Sequence, residues 1–133
     1  MNKNYEENYD RLKLIEEMEN EFNNKNTEFF NELAFHHDPV IRTRSICIIA
    51  EIGGNEAVNI ISKVLKEDVD ELVRHEAAVA LGVIGSEDAR GILVDALKDS
   101  NEEVKKSAIV ALANLDYIFK SKKINKFTRL TGG

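Results

Sequence analysis

A chain of 133 residues has room for one domain, burying roughly two-thirds of the surface its unfolded form exposes. Hydrophobic residues make up 43% and charged residues 32%, which suits a soluble, helix-rich protein, and with Pro39 as the single proline nothing forbids long helices. The net charge of −6 argues against a general nucleic-acid binder, and no stretch approaches the ~20 apolar residues that cross a bilayer. The N-terminus, "MNKNYEENYDR", has neither the apolar core of a signal peptide nor the arginine-rich bias of a transit peptide, so a cytoplasmic protein is expected.

In chain order, residues 4–22 come first as an amphipathic helix with Tyr5, Tyr9, Leu12, Ile15, Met18 and Phe22 inward, followed by the turn "NNKN" (23–26). "TEFFNELAF" (27–35) supplies the next helix, with Phe29, Phe30, Leu33 and Ala34 inward. Asp38 then caps a helix that begins at Pro39 and ends at the glycines after Ile52. Ala57, Ile60, Ile61, Val64 and Leu65 form the apolar face of the following helix, with Asn55 as a candidate cap. Asp70 opens another, carrying Val73, Ala77, Ala80, Leu81 and Ile84 on one face and stopped by Gly85. Ser86 can cap the helix after that, and "NEEVKKSAIVALANL" (101–115) is the last clearly periodic segment.

These segments repeat. "DPVIRTRSICIIAEIGGNEA" (38–57) aligns with "DELVRHEAAVALGVIGSEDA" (70–89) at an offset of 32, and residues 101–115 follow at an offset of 31. A helical pattern at such a period predicts an all-α solenoid of about three helical hairpins in a single domain spanning 1–133. Residues 1–26 are the N-terminal cap helix and turn, 27–115 the three repeats, and 116–133 a basic C-terminal extension. Residues 1–35 carry nine acids against four bases, and 116–133 five bases against Asp116, so the two ends are oppositely charged. The tail reads as a loose basic segment in which Tyr117, Ile118 and Phe119 can extend the last helix, and Ile124, Phe127 and Leu130 are spaced for a short capping helix or for docking in a groove. An uncovered last helix would offer a face for self-association.

The repeats resemble the HEAT-like repeats of the family named after phycobilisome lyases, through an acid, a gap, "VR", and then "AA.ALG.IG". In related repeats the acid and arginine form a ladder along adjoining units, which implies such a ladder for Asp38, Asp70, Arg42 and Arg74. Asn101 and Lys105 would weaken it in the third unit. A narrower resemblance attaches to "VRHEAAVALGVIG" (73–85). It is similar to a repeat of deoxyhypusine hydroxylase, a HEAT-like enzyme that holds two irons with paired His-Glu motifs. That resemblance implies His75 and Glu76 as iron ligands, and imidazole and carboxylate suit this metal. The neighbouring units place Thr43–Arg44 and Lys106–Ser107 at the same points, which cannot complete an iron site. A homodimer would bring two such pairs together across a twofold axis. Glu76 can instead bridge to Arg44 on the preceding helix.

His36–His37–Asp38 has metal-ligand residue types but reads as a solvated turn. Cys47, alone and set in "SICIIAEIG", reads as a buried structural thiol and excludes an internal disulfide. The closing "RLTGG" is similar to the ends of ubiquitin-like proteins, which are mixed α/β domains unlike this one. The function expected from these readings is a non-catalytic protein-interaction module without a cofactor or metal. Its partner, an acidic or amphipathic protein segment, would lie on the second-helix face at Arg42, Arg44, Arg74, His75, Val79, Lys105 and Lys106. The alternative is a deoxyhypusine hydroxylase-like iron protein, or its degenerate relative, with His75 and Glu76 as ligands.

Overall fold

Short polar turns join the helices, and their side chains cap the helix that follows. The computed structural model describes residues 3–54 and 56–131, with side chains described for 6–54 and 56–125. Its helices are α1 (Lys3–Asn23), α2 (Thr27–Leu33), α3 (Pro39–Ile52), α4 (Ala57–Glu67), α5 (Glu71–Ile84), α6 (Arg90–Ala96) and α7 (Glu102–Thr131), with a 3-10 turn at Glu87–Ala89 before α6. Among the described residues there is no strand. Asp38 accepts the N–H of Val40, Asp70 those of Leu72 and Val73, and Asn101 those of Glu103 and Val104. Ser86 accepts that of Asp88 in the same way. Each satisfies an N–H that a helix leaves open at its start. Asn55 lies outside the described residues, and Glu56, the residue before α4, gives that helix no side-chain cap.

The hairpins α2–α3, α4–α5 and α6–α7 stack as an α-solenoid, with α3, α5 and α7 side by side in one layer and α2, α4 and α6 in the other. Phe30, Ile41, Ile46, Ile61, Leu81, Leu93, Val104 and Leu115 are fully buried between the layers. Each such side chain contributes about 1.5–3 kcal/mol relative to exposure. Two glycines shape the α5–α7 region. Gly85 ends α5 at φ +70°, where a side chain would be strained. A Cβ at Gly82 would meet the Cα of Ala111 at 2.9 Å, so only glycine lets these helices lie this close.

Three expectations need correction. The inward face of α1 is Leu14, Ile15, Met18 and Phe22, whereas Tyr9 and Leu12 are exposed. The reason is geometric: nine residues at about 100° each put Tyr9 opposite Met18 around the helix. The side chain of Tyr5 lies outside the described residues. The C-terminal segment is neither loose nor a separate short helix. It continues α7 to Thr131, because no glycine or proline between 102 and 131 stops it. Ile118 meets Gly85, while Tyr117 and Ile124 are exposed; the side chains of Lys126, Phe127, Arg129 and Leu130 lie outside the described residues.

The third correction concerns the ladder. Arg42 donates to Asp68 through Nε and Nη2, at 2.8 and 3.0 Å, and Arg74 donates to Asp99 in the same way, at 2.9 and 3.1 Å. The acids are therefore Asp68 and Asp99, two residues before the caps Asp70 and Asn101. Asp70 and Asn101 turn toward their own helix starts, and the path of each turn leaves the acid two residues earlier facing the preceding arginine. The rung persists into the third unit, where Asn101 does not weaken it. A further rung ties Arg11 of α1 to Asp38, at 2.8 and 3.2 Å.

Candidate functional site

The second helices present one face in columns, and this face carries His75 and Glu76 in the first turns of α5. Both side chains are about one-third exposed, with His75 Nε2 3.9 Å from Glu76 Oε1. The other ring nitrogen is occupied: His75 Nδ1 lies 2.6 Å from the hydroxyl of Ser107 on α7. Nothing in the sequence marks Ser107 as a partner except its distance of 32 residues, one repeat, from His75. Arg44 and Glu76 do not close an ion pair. They flank Cys47 instead, and its position corrects another expectation. The thiol is exposed, because its column, which continues through Val79 and Val110, faces away from the core. Desolvation and then the charge of Glu76 push the Cys47 thiol above its ordinary range, with Arg44 partly offsetting them.

Apolar clefts run along this face. Cys47, Ala50, Glu51, Glu76, Val79 and Val83 line one, and Val79 and Val83 pass into a second with Lys106, Ser107, Val110 and Asn114. Of the basic residues expected here, Arg42 and Arg74 are committed to the ladder, with side chains only 12% and 13% exposed. Lys105 and Lys106 pair along their own helix with Glu102 and Glu103. Arg44 remains exposed.

The His36–His37–Asp38 turn is structural. His36 Nδ1 accepts the N–H of Asp38 at 3.0 Å, the two imidazoles stack at 4.1 Å, and Arg42 donates to both carbonyls, of His36 and of His37. Among the described residues no three His, Cys, Asp or Glu side chains converge as a metal site. At His75–Glu76 the described residues bring together a single imidazole–carboxylate pair. The pair has the right donor types for iron but supplies one imidazole and one carboxylate, with Arg44 and Lys106 at the equivalent points of the flanking helices. The described residues thus supply part of an iron centre.

Stacked helical hairpins of about 31–32 residues, tied by arginine–aspartate rungs, define an α-solenoid repeat protein. The sequence profile of HEAT repeats matches residues 4–82 and 59–131, and the chain belongs to the HEAT-repeat family. It is 39% identical over 71 residues to a deoxyhypusine hydroxylase of Eremothecium gossypii, which covers 53% of this chain and 22% of that protein. Identity to the deoxyhypusine hydroxylase of Drosophila melanogaster is 31% over 94 residues, covering 69% and 31%. With that of Candida albicans it is 46% over 56 residues, covering 41% and 18%. The chain spans less than a third of the length of the curated relatives it matches.

These relatives overturn two expectations. A non-catalytic scaffold is not what the matching proteins are: they bear the name of a hydroxylase, in organisms from yeasts to flies and rice. The expectation of no cofactor falls with it, because the enzyme they name is the one whose resemblance implies iron at His75 and Glu76. Composition and charge cannot carry such a distinction, since binding modules and enzymes share this scaffold. No helix among the described residues is long and apolar enough to cross a membrane.

Proposed function

We propose that this chain is a deoxyhypusine hydroxylase-like HEAT protein in which His75 and Glu76 act as one ligand pair for iron. The observation that carries the reading is the pair itself: an imidazole and a carboxylate, adjacent and accessible on α5, in a chain whose relatives are named for that reaction. Iron, when bound, would supply the oxidative chemistry of a hydroxylase. The chain's own residues prepare the site. Ser107 engages one nitrogen of His75 and so restrains the ring, as the outer-shell partners of ligating histidines do. Val79, Val83 and Val110 wall the adjoining clefts with apolar surface.

Because the described residues carry one pair, the remaining ligands would come from a second His-Glu module. The polypeptide acted on would lie across the second-helix face, near the exposed Arg44 and Val79, as an acidic or amphipathic segment. A cytoplasmic setting belongs to the same reading. The test is the iron content of protein purified without oxygen and supplied with ferrous ion, compared with His75→Ala and Glu76→Gln. Iron held by the wild type and lost in both variants supports the reading. A wild type that takes up no more iron than the variants overturns it.

A further inference from the structure

The three units build the turn before their second helix from the same plan, with one substitution. In the second unit Asp68 accepts the N–H of Asp70 at 2.9 Å, and in the third Asp99 accepts that of Asn101 at 2.9 Å. Each of these carboxylates also receives the arginine fork of the preceding unit. The offset of 32 places His36 at the corresponding point of the first unit. Its Nδ1 takes the N–H of Asp38, and its carbonyl receives Arg42 Nη1 at 2.9 Å, as the Asp68 carbonyl receives Arg74 Nη1 at 2.9 Å. An imidazole cannot also accept the arginine fork, so Arg11 binds Asp38 instead, which already caps α3. The work of one carboxylate is thus divided between His36 and Asp38.

This division makes the first turn sensitive to protons in a way the other two are not. A neutral imidazole accepts the Asp38 N–H; an imidazolium has no lone pair for it. It becomes a cation two residues from Asp38, in competition with Arg11. We propose that His36 is a proton-operated latch, its protonation drawing Asp38 away from Arg11 and loosening α1 from the end of the solenoid.

The attachment of α1 suits such a device. Among the described residues the Arg11 fork is the only side-chain hydrogen bond from α1 to the turn before α3, and Met18 is the only fully buried side chain of α1. Loosening would uncover Ile41, which lines one cleft with Leu14, and Ile48, which lines another with Ile15 and Met18. The charged and titratable groups facing His36 are Glu7, Asp10 and Arg11 of α1, its neighbours His37 and Asp38, Arg42 of α3, and Lys63, Glu67 and Asp68 at the end of α4. Of the acids, Asp38 and Asp68 are already bound by Arg11 and Arg42. Desolvation first, then His37 and Arg42, hold the His36 ring below its ordinary 6.5, against the pull of Asp38. The latch is therefore closed at neutral pH and opens as pH falls below that value.

The experiment is amide hydrogen exchange of the whole chain, read as protection factors at about pH 7.5 and about pH 5.5. Protection in α1 should fall several-fold relative to α5 in the wild type. His36→Asp, which restores the residue of the other two units, and His36→Asn, which accepts without titrating, should abolish the fall. Unchanged α1 protection in the wild type, or the same fall in both variants, overturns the proposal. Proton NMR of wild-type His36 gives a measurement independent of the variants. Its titration must coincide with the opening of α1, and separate midpoints overturn the latch as well.

Discussion

Arg42 grips Asp68 across one repeat, with Nε and Nη2 on the two carboxylate oxygens at 2.8 and 3.0 Å and side chains only 12% and 6% exposed. The same fork joins Arg74 to Asp99 one unit later. These rungs lock α3 and α5 to the turn inside the next hairpin, so the stacking angle of the solenoid is fixed by charge-assisted bonds as well as by apolar packing.

Asp68→Ala should lower unfolding stability by about 3 kcal/mol, because it leaves the Arg42 guanidinium sheltered from water without its anion. Urea denaturation measures the loss. Adding Arg42→Met should recover much of it, since a paired deletion leaves no stranded charge. A double variant as unstable as Asp68→Ala would show that the aspartate acts only through its bond to the Asp70 N–H.

Gly82→Ala should cost about 1–3 kcal/mol, since the added methyl meets the backbone of Ala111 and the two helices must part. Gly91→Ala in α6 is the control. Nothing lies within 4 Å of its Cβ, so it should be neutral or stabilising by up to about 1 kcal/mol. Thermal or chemical denaturation of the two variants separates local crowding from a general effect of removing glycine.

Acid should weaken the N-terminal rung through Asp38. The Arg11 fork, opposed by desolvation and aided by the Val40 N–H, holds the Asp38 carboxyl below its ordinary 3.8. A carboxyl depressed in the folded state contributes stability that is complete above its unfolded value and lost as pH falls through the folded one. Stability should therefore decline below about pH 3.8, and Arg11→Gln should make that decline shallower. Denaturation midpoints taken between about pH 5 and pH 2 test this; an unchanged slope in the variant would remove Arg11 as the cause.

Cys47 reports on the field around Glu76. Removing that negative charge with Glu76→Gln should raise the thiolate fraction and speed alkylation by iodoacetamide several-fold near neutral pH. Arg44→Ala should slow it. Equal rates in all three proteins would mean that desolvation alone sets the thiol.

Much of the architecture is legible along the chain, and the candidate site is legible only in part. Val73, Ala77, Leu81 and their counterparts mark the buried faces, because a helix that stacks on neighbours must repeat its apolar residues with its own period. His75 and Glu76 are visible as a motif. Ser107 is not, since a serine inside a helix has no local signature and its contact crosses a full repeat. Asp68 and Asp99 escape for a related reason. The neighbouring acids at 38 and 70 look equally suited to the ladder, and only the path of the turn decides which carboxylate faces the arginine.

The sequence by itself determined the repeat, the all-α class, the helix starts at Asp38, Asp70 and Asn101, and the stop at Gly85, because period, capping chemistry and backbone freedom are local properties. Only the tertiary structure decided which acid each arginine holds, that Cys47 and Val79 face outward, that Tyr9 lies opposite the buried side of α1, and that Ser107 reaches His75. Those outcomes depend on how one hairpin is rotated against the next, and that rotation is set jointly by Gly82, the buried apolar layer and the arginine forks.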